Sequence, residues 1–465
     1  MNDQAHAPSD QTLSVSLREA TRVWAKIGLL SFGGPAGQIA LMHRELVDKR
    51  RWISDARFLH ALNYCMLLPG PEATQLAIYI AWLMHRTVGG LIAGVLFVLP
   101  GFVTILALSI VYALYGQVPL VLAVFVGLKA AVLAVVVEAV IRIGSKALKN
   151  RTMVLIALAA FVAIFFFHVP FPLIVLGAGL WGLLGRWWAP ASFPAPASAA
   201  ADASSDFQID RLLGQGGLTH TQPSALRAIR VTLIWLVIWW TPVLAVMALW
   251  GRHSVLVKEG LFFSQTAVVT FGGAYAVLAY IAQRAVATFH WITPGQMLDG
   301  LSLAETTPGP LIMVVQFVAF LGAYYHQTGM SAMVAGIAGS VLTTWVTFAP
   351  CFLWIFLGAP YIEALRSNRA LHAALSAVTA AVVGVVLNLS VWFTLHTVFA
   401  RVNERPWGWA HLEVPAWATL QWPSAVIAVA AMLAMLRFKV GMGRVLLVSG
   451  LAGMAIEWFG IAAPM

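Results

Sequence analysis

Two short stretches place anion-binding chemistry inside otherwise apolar segments. The first is Pro69-Gly70-Pro71-Glu72-Ala73-Thr74-Gln75, and the second is Thr306-Thr307-Pro308-Gly309-Pro310. Pro-Gly-Pro cannot continue a helix, because proline lacks the backbone donor and clashes with the preceding turn. A half-helix that begins after such a break has amides without intrahelical partners, and its dipole favours an anion. We therefore predict that both breaks help to bind an anion.

Two glycine-rich motifs, Phe32-Gly33-Gly34-Pro35 and Phe271-Gly272-Gly273, precede these stretches. They either break a second helix in each half or let backbones approach closely. A simple kink between packed helices is the alternative for one such motif, and its repetition weighs against that alternative. The candidate substrate-binding residues are Ser31, Gly33, Gly34, Pro69, Gly70, Pro71, Glu72, Ala73, Thr74, Gln75, Lys129, Thr270, Gly272, Gly273, Thr306, Thr307, Pro308, Gly309, Pro310 and Gln316.

Ionisable residues inside apolar segments are further candidates. Lys129 lies about 13 Å from the start of its segment at 1.5 Å per residue, so it is either an anion ligand or one half of a buried pair. Glu138 and Arg142 are spaced as an ordinary i, i+4 pair. Glu72 and Glu305 flank the two breaks and are candidates for proton coupling, although stabilising a helix dipole is a sufficient role for Glu72.

The composition places the chain in a membrane. Of 465 residues, 60 % are hydrophobic and 10 % are charged, with a mean hydropathy of +0.85. Soluble domains carry about 25 % charged residues, so we predict an all-α, polytopic integral membrane protein. The net charge of +10 comes mostly from short loops between apolar runs. That is the topogenic pattern and gives no reason to expect a nucleic-acid partner.

The chain divides into four parts. Residues 1–22 form a polar segment without a signal-peptide core, and residues 23–188 form a first membrane repeat. Residues 189–230 are a polar linker rich in Ala, Pro and Ser, and residues 231–465 hold an extra apolar helix and a second repeat. Since about 20 apolar residues span a bilayer, we expect about 10 to 13 membrane segments, including broken or re-entrant ones. Val23–His43 is expected to span as one helix.

Register shows that the halves are repeats. The Phe-Gly-Gly, Trp-Ile and Pro-Gly-Pro motifs of the first half recur 239 positions later, at 271–273, 291–292 and 308–310. Basic loops of one half match weakly charged loops of the other, so the positive-inside rule predicts inverted orientations. Five crossings per repeat would produce this inversion, but the apolar segment Val231–Trp250 adds a crossing that the count does not explain.

These motifs resemble those of the chromate ion transporter family, long-chain two-domain type. The resemblance rests on Ser31-Phe32-Gly33-Gly34-Pro35, the run Leu68–Ala73, Thr270-Phe271-Gly272-Gly273 and Thr307-Pro308-Gly309-Pro310, and it covers nearly the whole chain. It implies a secondary transporter of the inner membrane that exports chromate and confers chromate resistance. It also implies a relation to sulfate handling, so sulfate or another oxyanion is the alternative substrate. Gly273-Ala274-Tyr275 departs from Gly34-Pro35-Ala36, so the halves should contribute unequally.

Other function classes find less support. There is no nucleotide loop, nucleophile elbow or metal-ligand motif, so we expect no enzyme activity, no cofactor and no metal. A lipid-phosphate enzyme would need a nucleophile or an acid–base pair near the interface, and repeated polar breaks argue against a purely structural protein. Inverted repeats with discontinuous helices favour a transport site near the midplane. The expected partners are chromate or sulfate and the lipid bilayer; the coupling ion, the side of the N-terminus and a homodimeric assembly are left open.

Overall fold

The fold is almost entirely helical, as predicted for an all-α, polytopic membrane protein. The computed structural model describes residues 15–188, 192–193, 207, 209, 222–271, 273–327, 329–362, 368–408 and 410–459. Within them, five helices are long and apolar enough to cross a membrane: Glu72–Tyr115, Pro119–Ala147, Ala225–Trp250, Ala332–Tyr361 and Arg369–Val398. Most of the predicted linker (189–230) and most of the polar N-terminal segment (1–22) fall outside the described residues.

The two repeats follow the same order of elements. The first comprises α1 (Leu17–Leu29), α2 (Gly34–His43), α3 (Asp55–Cys65), α4 (Glu72–Tyr115), α5 (Pro119–Ala147), α6 (Arg151–Phe167) and α7 (Phe171–Trp188). After α8 (Ala225–Trp250), the second comprises α9 (Val255–Val269), α10 (Ala274–Ala282), α11 (Pro294–Thr306), α12 (Val314–His326), α13 (Ala332–Gly358), α14 (Arg369–Val398), α15 (Trp422–Met432) and α16 (Met442–Trp458). Strands β1 (Val402–Trp407) and β2 (Ala410–Pro415) form an antiparallel hairpin between α14 and α15.

The predicted spanning helix Val23–His43 is instead two half-length helices, α1 and α2. Gly33 and Gly34 both have positive φ, of 88° and 65°, which glycine adopts without the steric cost of a Cβ. The chain then turns back on itself, because the ammonium of Lys26 in α1 lies 3.1 Å from the carboxylate of Glu45, just beyond α2. A straight continuation of α2 would carry Glu45 well beyond the reach of a lysine side chain. This segment is therefore re-entrant.

A second re-entrant hairpin consists of α3 and the first part of α4. The Pro-Gly-Pro break joins them, and α4 leaves helical geometry at His85 and Arg86. Beyond that turn the chain packs back on itself, since a Cβ on Gly89 would lie 2.4 Å from the carbonyl oxygen of Ala81. The imidazole of His85 also lies 2.8 Å from the carbonyl oxygen of Val15, so both hairpins start and end on one side. The long second part of α4 then crosses the molecule.

The second repeat is inverted relative to the first. Along the contact between α4 and α13, a Cβ on Gly90 would lie 2.7 Å from Phe356, and one on Gly94 would lie 2.5 Å from Phe352. The residue numbers run in opposite directions, so these equivalent helices are antiparallel. The opposite orientation predicted from loop charge agrees with this geometry.

Helix α8 explains how the inversion arises. In the first repeat, four membrane crossings follow the two re-entrant hairpins: the second part of α4, then α5, α6 and α7. Helix α8 begins on the side where the two re-entrant hairpins start and end, with the guanidinium of Arg227 5.4 Å from the ring centre of Trp82. Its later part packs on α9, where a Cβ on Gly260 would lie 3.2 Å from Val243. As a fifth crossing, α8 carries the chain to the opposite side before α9 begins, which the count of five crossings per repeat did not foresee.

The two ends of the molecule differ in charge. The basic end, where the re-entrant helix pairs also start and end, carries the loops Lys49–Arg51, Lys146–Arg151 and Arg437–Arg444. The opposite end carries the β-hairpin of β1 and β2 and is called the hairpin end. Ile209, a described residue between the repeats, donates a backbone hydrogen bond to the carbonyl of Trp52 at the basic end. By the positive-inside rule we expect the basic end to face the cytoplasm.

Candidate anion site at the crossed breaks

The breaks of one repeat are hydrogen-bonded to the breaks of the other. The amide of Gly70 donates to the carbonyl of Thr270 at 2.8 Å, and the amide of Gly309 donates to the carbonyl of Ser31 at 2.9 Å. Donors and acceptors are both related by 239 positions, so the pair of bonds obeys the symmetry of the repeats. The structure thus brings the predicted Pro-Gly-Pro and Phe-Gly-Gly motifs together. Gly272 lies outside the described residues.

Glutamine side chains stabilise these breaks. The amide of Gln38 donates to the carbonyl of Gly309 at 2.6 Å, and that of Gln75 donates to the carbonyl of Pro69 at 2.7 Å. The amide of Gln316 donates to the carbonyl of Phe102 at 3.0 Å. In this arrangement Gln75 and Gln316 each use one amide donor on the backbone, as a structural role requires.

Most of the predicted hydroxyls are also used within their own helices. Ser31 donates to the carbonyl of Ile27 at 2.6 Å, and Thr270 donates to that of Thr266 at the same distance. Thr306 and Thr307 likewise donate to carbonyls one turn earlier. The hydroxyl of Thr74 is buried and finds no partner among the described residues, so it differs from the other hydroxyls of this set.

Each candidate glutamate lies at the glycine break of the other repeat. A Cβ on Gly34 would lie 4.0 Å from Oε2 of Glu305, and one on Gly273 would lie 3.5 Å from Oε1 of Glu72. The hydroxyl of Tyr275 donates to Oε1 of Glu305 at 2.7 Å. Glu305 is 2 % exposed, and its other oxygen has no hydrogen-bond partner in the described part of the chain. The two glycine breaks therefore differ chemically. Tyr275, which replaces the Ala36 of the first repeat, is the residue from which unequal halves were expected.

Lys129 forms an ion pair that the sequence did not reveal. Its ammonium lies 3.1 Å from Oδ1 of Asp299 in α11, and the hydroxyl of Tyr112 donates to Oδ2 at 2.8 Å. Lys129 was predicted to be either an anion ligand or one half of a buried ion pair, and this geometry is that of the buried pair. Asp299 lies in the short polar run before the second break, and its partners are 170 and 187 positions away. Sequence spacing therefore gave no signal for it.

Two cavities meet at the first glycine break. One, of about 480 Å³, lies at the basic end and contains Glu138, Arg142 and Lys439, with Gly33 and Tyr275 on its inner wall. The predicted pair between Glu138 and Arg142 is confirmed, with N and O 4.0 Å apart. This cavity, the basic vestibule, connects two cationic side chains with the crossed breaks.

The second cavity, of about 620 Å³, is mainly apolar. Helices α5 and α16 form one side, and Phe32, Gly33, Glu305 and Thr306 form the other. Gly33 lines both cavities, so they adjoin at the first glycine break.

A further buried acid, Glu259 in α9, was missed by sequence analysis. Its side chain is fully buried, and neither carboxyl oxygen has a hydrogen-bond partner in the part of the chain described. Gly322 and Gly339 make room for it, since a Cβ at either position would lie within 2.8 Å of a carboxyl oxygen. A carboxyl group in an apolar helix was the available signal, because intramembrane ionisable residues are functional candidates by default.

The chain is similar to known transport proteins over most of its length. It matches the Chromate transporter family over residues 18–183 and 258–454. It is 29 % identical to the chromate transport protein of Cupriavidus metallidurans over 80 % of this chain and 81 % of the relative. It is 31 % identical to that of Pseudomonas aeruginosa over 83 % and 85 %, and 28 % identical to a probable chromate transport protein of Synechococcus elongatus over 81 % and 86 %. No solved structure matches it. With crossed breaks in inverted membrane repeats and a family match across both of them, this chain is a member of the chromate transporter family.

Proposed function

We propose that this chain exports chromate from the cytoplasm across the inner membrane as a secondary transporter. Its named relatives are chromate transport proteins. The observation that carries the proposal is the basic vestibule, which links Arg142 and Lys439 to Gly33 and Tyr275 at the crossed breaks. A cationic cavity concentrates an anion at its mouth, and the half-helix termini behind it offer amide donors.

Electrostatics favours this direction of transport. Chromate is a dianion near neutral pH, and one charge that crosses 100 mV gains about 2.3 kcal/mol. A dianion that leaves a negative interior therefore gains about 4.6 kcal/mol for the same potential. The membrane potential alone can drive export, so no nucleotide is needed.

The site must replace the hydration shell of the dianion with several fixed donors. We assign this role to the first amides of α2 and α4 and to the hydroxyl of Thr74, with Arg142 and Lys439 as the initial cationic contacts. Because an ionised Glu305 would repel the anion, we propose that chromate passes the first break while Glu305 is protonated. If that proton leaves with the anion, one net charge rather than two crosses per cycle, and the electrical gain falls to about 2.3 kcal/mol per 100 mV.

The test is chromate flux into inside-out proteoliposomes under an imposed potential, positive inside the vesicle. Radiolabelled chromate should accumulate, and Arg142→Ala and Lys439→Ala should each reduce the initial rate. Lys146→Ala is the matched control, because it lies on the same end of α5 and does not line the vestibule. No flux above that of empty liposomes, from protein that unfolds cooperatively, would refute the proposal. Stronger inhibition by sulfate than by unlabelled chromate would instead identify a sulfate carrier.

A further inference from the structure

We propose that His168, Glu404 and His411 form a binding site for a transition-metal dication of the Zn²⁺ class at the hairpin end. His168 lies between α6 and α7, whereas Glu404 is in β1 and His411 is in β2. The site is separate from the crossed breaks and does not depend on the proposed transport function.

The three side chains already have the geometry of a ligand set. Nδ1 of His411 lies 2.8 Å from Oε1 of Glu404, and Nδ1 of His168 lies 3.9 Å from the same oxygen. One ligand atom from each residue lies within 4.8 Å of the others. Tetrahedral Zn²⁺ has ligands about 2.0–2.2 Å from the metal, so small shifts of the side chains, apart for His411 and Glu404 and closer for His168, would complete the site. All three side chains are partly exposed, which leaves a path for the ion.

A second observation points to a cation at this place. The strand register puts Glu404 directly opposite Glu413, and like charges in directly paired strand positions are destabilising. Oε2 of Glu413 is buried, with no hydrogen-bond partner among residues 402–408 and 410–415 or elsewhere in the described chain. A dication bound to Glu404 would offset this repulsion. This unfavourable pair of Glu404 and Glu413 lies beside two histidines, and a bound dication would stabilise the arrangement.

The donor types select the class of metal. Two imidazole nitrogens and one carboxylate oxygen suit Zn²⁺ and its neighbours, whereas Mg²⁺ and Ca²⁺ prefer oxygen ligands only. Three protein ligands leave one position for water. His168 ends α6 with a left-handed backbone conformation, φ 49°, which is uncommon for a residue other than glycine. That conformation places its ring beside the ring of His411, with centroids 5.0 Å apart.

Metal binding at this site would connect the two repeats. His168 belongs to the first repeat and the hairpin to the second, so a bound ion would fasten the loop between α6 and α7 to the strands. The sequence gave no motif, because His168 is 236 positions before Glu404. We therefore expect Zn²⁺ to raise the thermal unfolding temperature of the protein.

The test uses tag-free, full-length protein in detergent, with Zn²⁺ titrated by calorimetry and Co²⁺ by its visible absorption. We expect one site per chain, with affinity reduced at least about tenfold in His168→Ala and His411→Ala. Glu404→Gln, which keeps the shape of the side chain, should weaken binding as well. His326→Ala is the control, because His326 ends α12 and contacts the carbonyl of Gly322 instead.

Unchanged Zn²⁺ affinity in His168→Ala and His411→Ala would overturn the proposal, and so would equal stabilisation by Mg²⁺. Thermal unfolding without metal shows whether each variant is folded. If an alanine variant is unfolded, Glu404→Gln and the Co²⁺ spectrum decide the question, since two nitrogen ligands give tetrahedral Co²⁺ absorption and an adventitious carboxylate contact does not.

Discussion

The backbone amide of Gly309 lies 2.9 Å from the carbonyl oxygen of Ser31, joining the Pro-Gly-Pro break of one repeat to the glycine break of the other. The bond from Gly70 to Thr270 is its counterpart. Backbone groups released by broken helices must find partners in the membrane, because no water replaces them there. By pairing break with break, the fold satisfies the amides of Gly70 and Gly309 inside the membrane.

Gly309→Ala should disturb this crossing. Gly309 has φ 103°, and a Cβ there would lie 2.9 Å from Cα of Gly101. We expect a loss of about 1–3 kcal/mol in unfolding free energy, from strain in an unfavourable backbone region plus the close contact. Thermal unfolding of the purified protein measures it. Gly251→Ala is the control, since Gly251 has φ 76° but nothing within 4 Å of the added Cβ. Equal losses in both variants would show that the close approach is unimportant.

The acid stability of the basic end should depend on Glu45, which follows α2 and is 1 % exposed. Burial acts to raise the pKa of this carboxyl, but hydrogen bonds from Lys49, Lys26 and Arg50 outweigh burial and lower the pKa from 4.5 to about 2. A lowered carboxyl pKa stabilises the folded state above the unfolded value and loses that effect as pH falls toward the folded value. The stabilisation should therefore be complete above pH 4.5 and disappear between pH 4.5 and 2.

Glu45→Gln tests this dependence. Near neutral pH we expect it to lower the unfolding free energy by about 1–3 kcal/mol, because charge-assisted hydrogen bonds are lost. The difference between the variant and the unmodified protein should shrink as the pH falls through 4.5. Glu19→Gln, on the exposed face of α1, should show no such trend. A difference that is constant with pH would contradict the assignment.

The features that could be predicted from the sequence depend on residues close together in the chain or on a repeated pattern. The Pro-Gly-Pro motifs predicted breaks because proline limits helices wherever it occurs. For the Phe-Gly-Gly motifs a helix break was one of two predicted roles, beside a close approach of backbones. Their constant spacing identified the repeats, and loop charge predicted the inversion. The i, i+4 pair of Glu138 and Arg142 was also correct, since the helix alone fixes that spacing.

Features that depend on three-dimensional contacts were not predicted. Val23–His43 has the length and hydropathy of a spanning helix, but hydropathy does not show that the chain reverses at Gly33. The pairing of Lys129 with Asp299, and the burial of Glu259 between two glycines, join residues far apart in the chain. The role of α8 became clear only when the first helix pair proved to be re-entrant, which changed the number of crossings before the second repeat.

Glu305→Gln should uncouple chromate transport from pH. If chromate passes the first break beside protonated Glu305, a permanently neutral glutamine keeps the site in its transporting state. We expect flux to be retained and its dependence on pH in the neutral range to flatten, measured in the proteoliposomes described above. Glu457→Gln is the control, because Glu457 is an exposed residue near the end of α16. Unchanged pH dependence in Glu305→Gln would remove Glu305 from the coupling step.

Lys129→Ala should destabilise the protein, because it leaves the buried carboxylate of Asp299 without its cation. Breaking a buried pair from one side costs about 3–5 kcal/mol, whereas removing both charges is often nearly neutral. We therefore expect the double variant Lys129→Ala with Asp299→Asn to recover most of the lost thermal stability and, with it, chromate flux. Tyr112 can still donate to the amide oxygen of the asparagine, which keeps α11 in place. If stability returns but flux does not, the two charged groups have a role in transport beyond holding the helices together, and an anion-binding role for Lys129 stays a prediction.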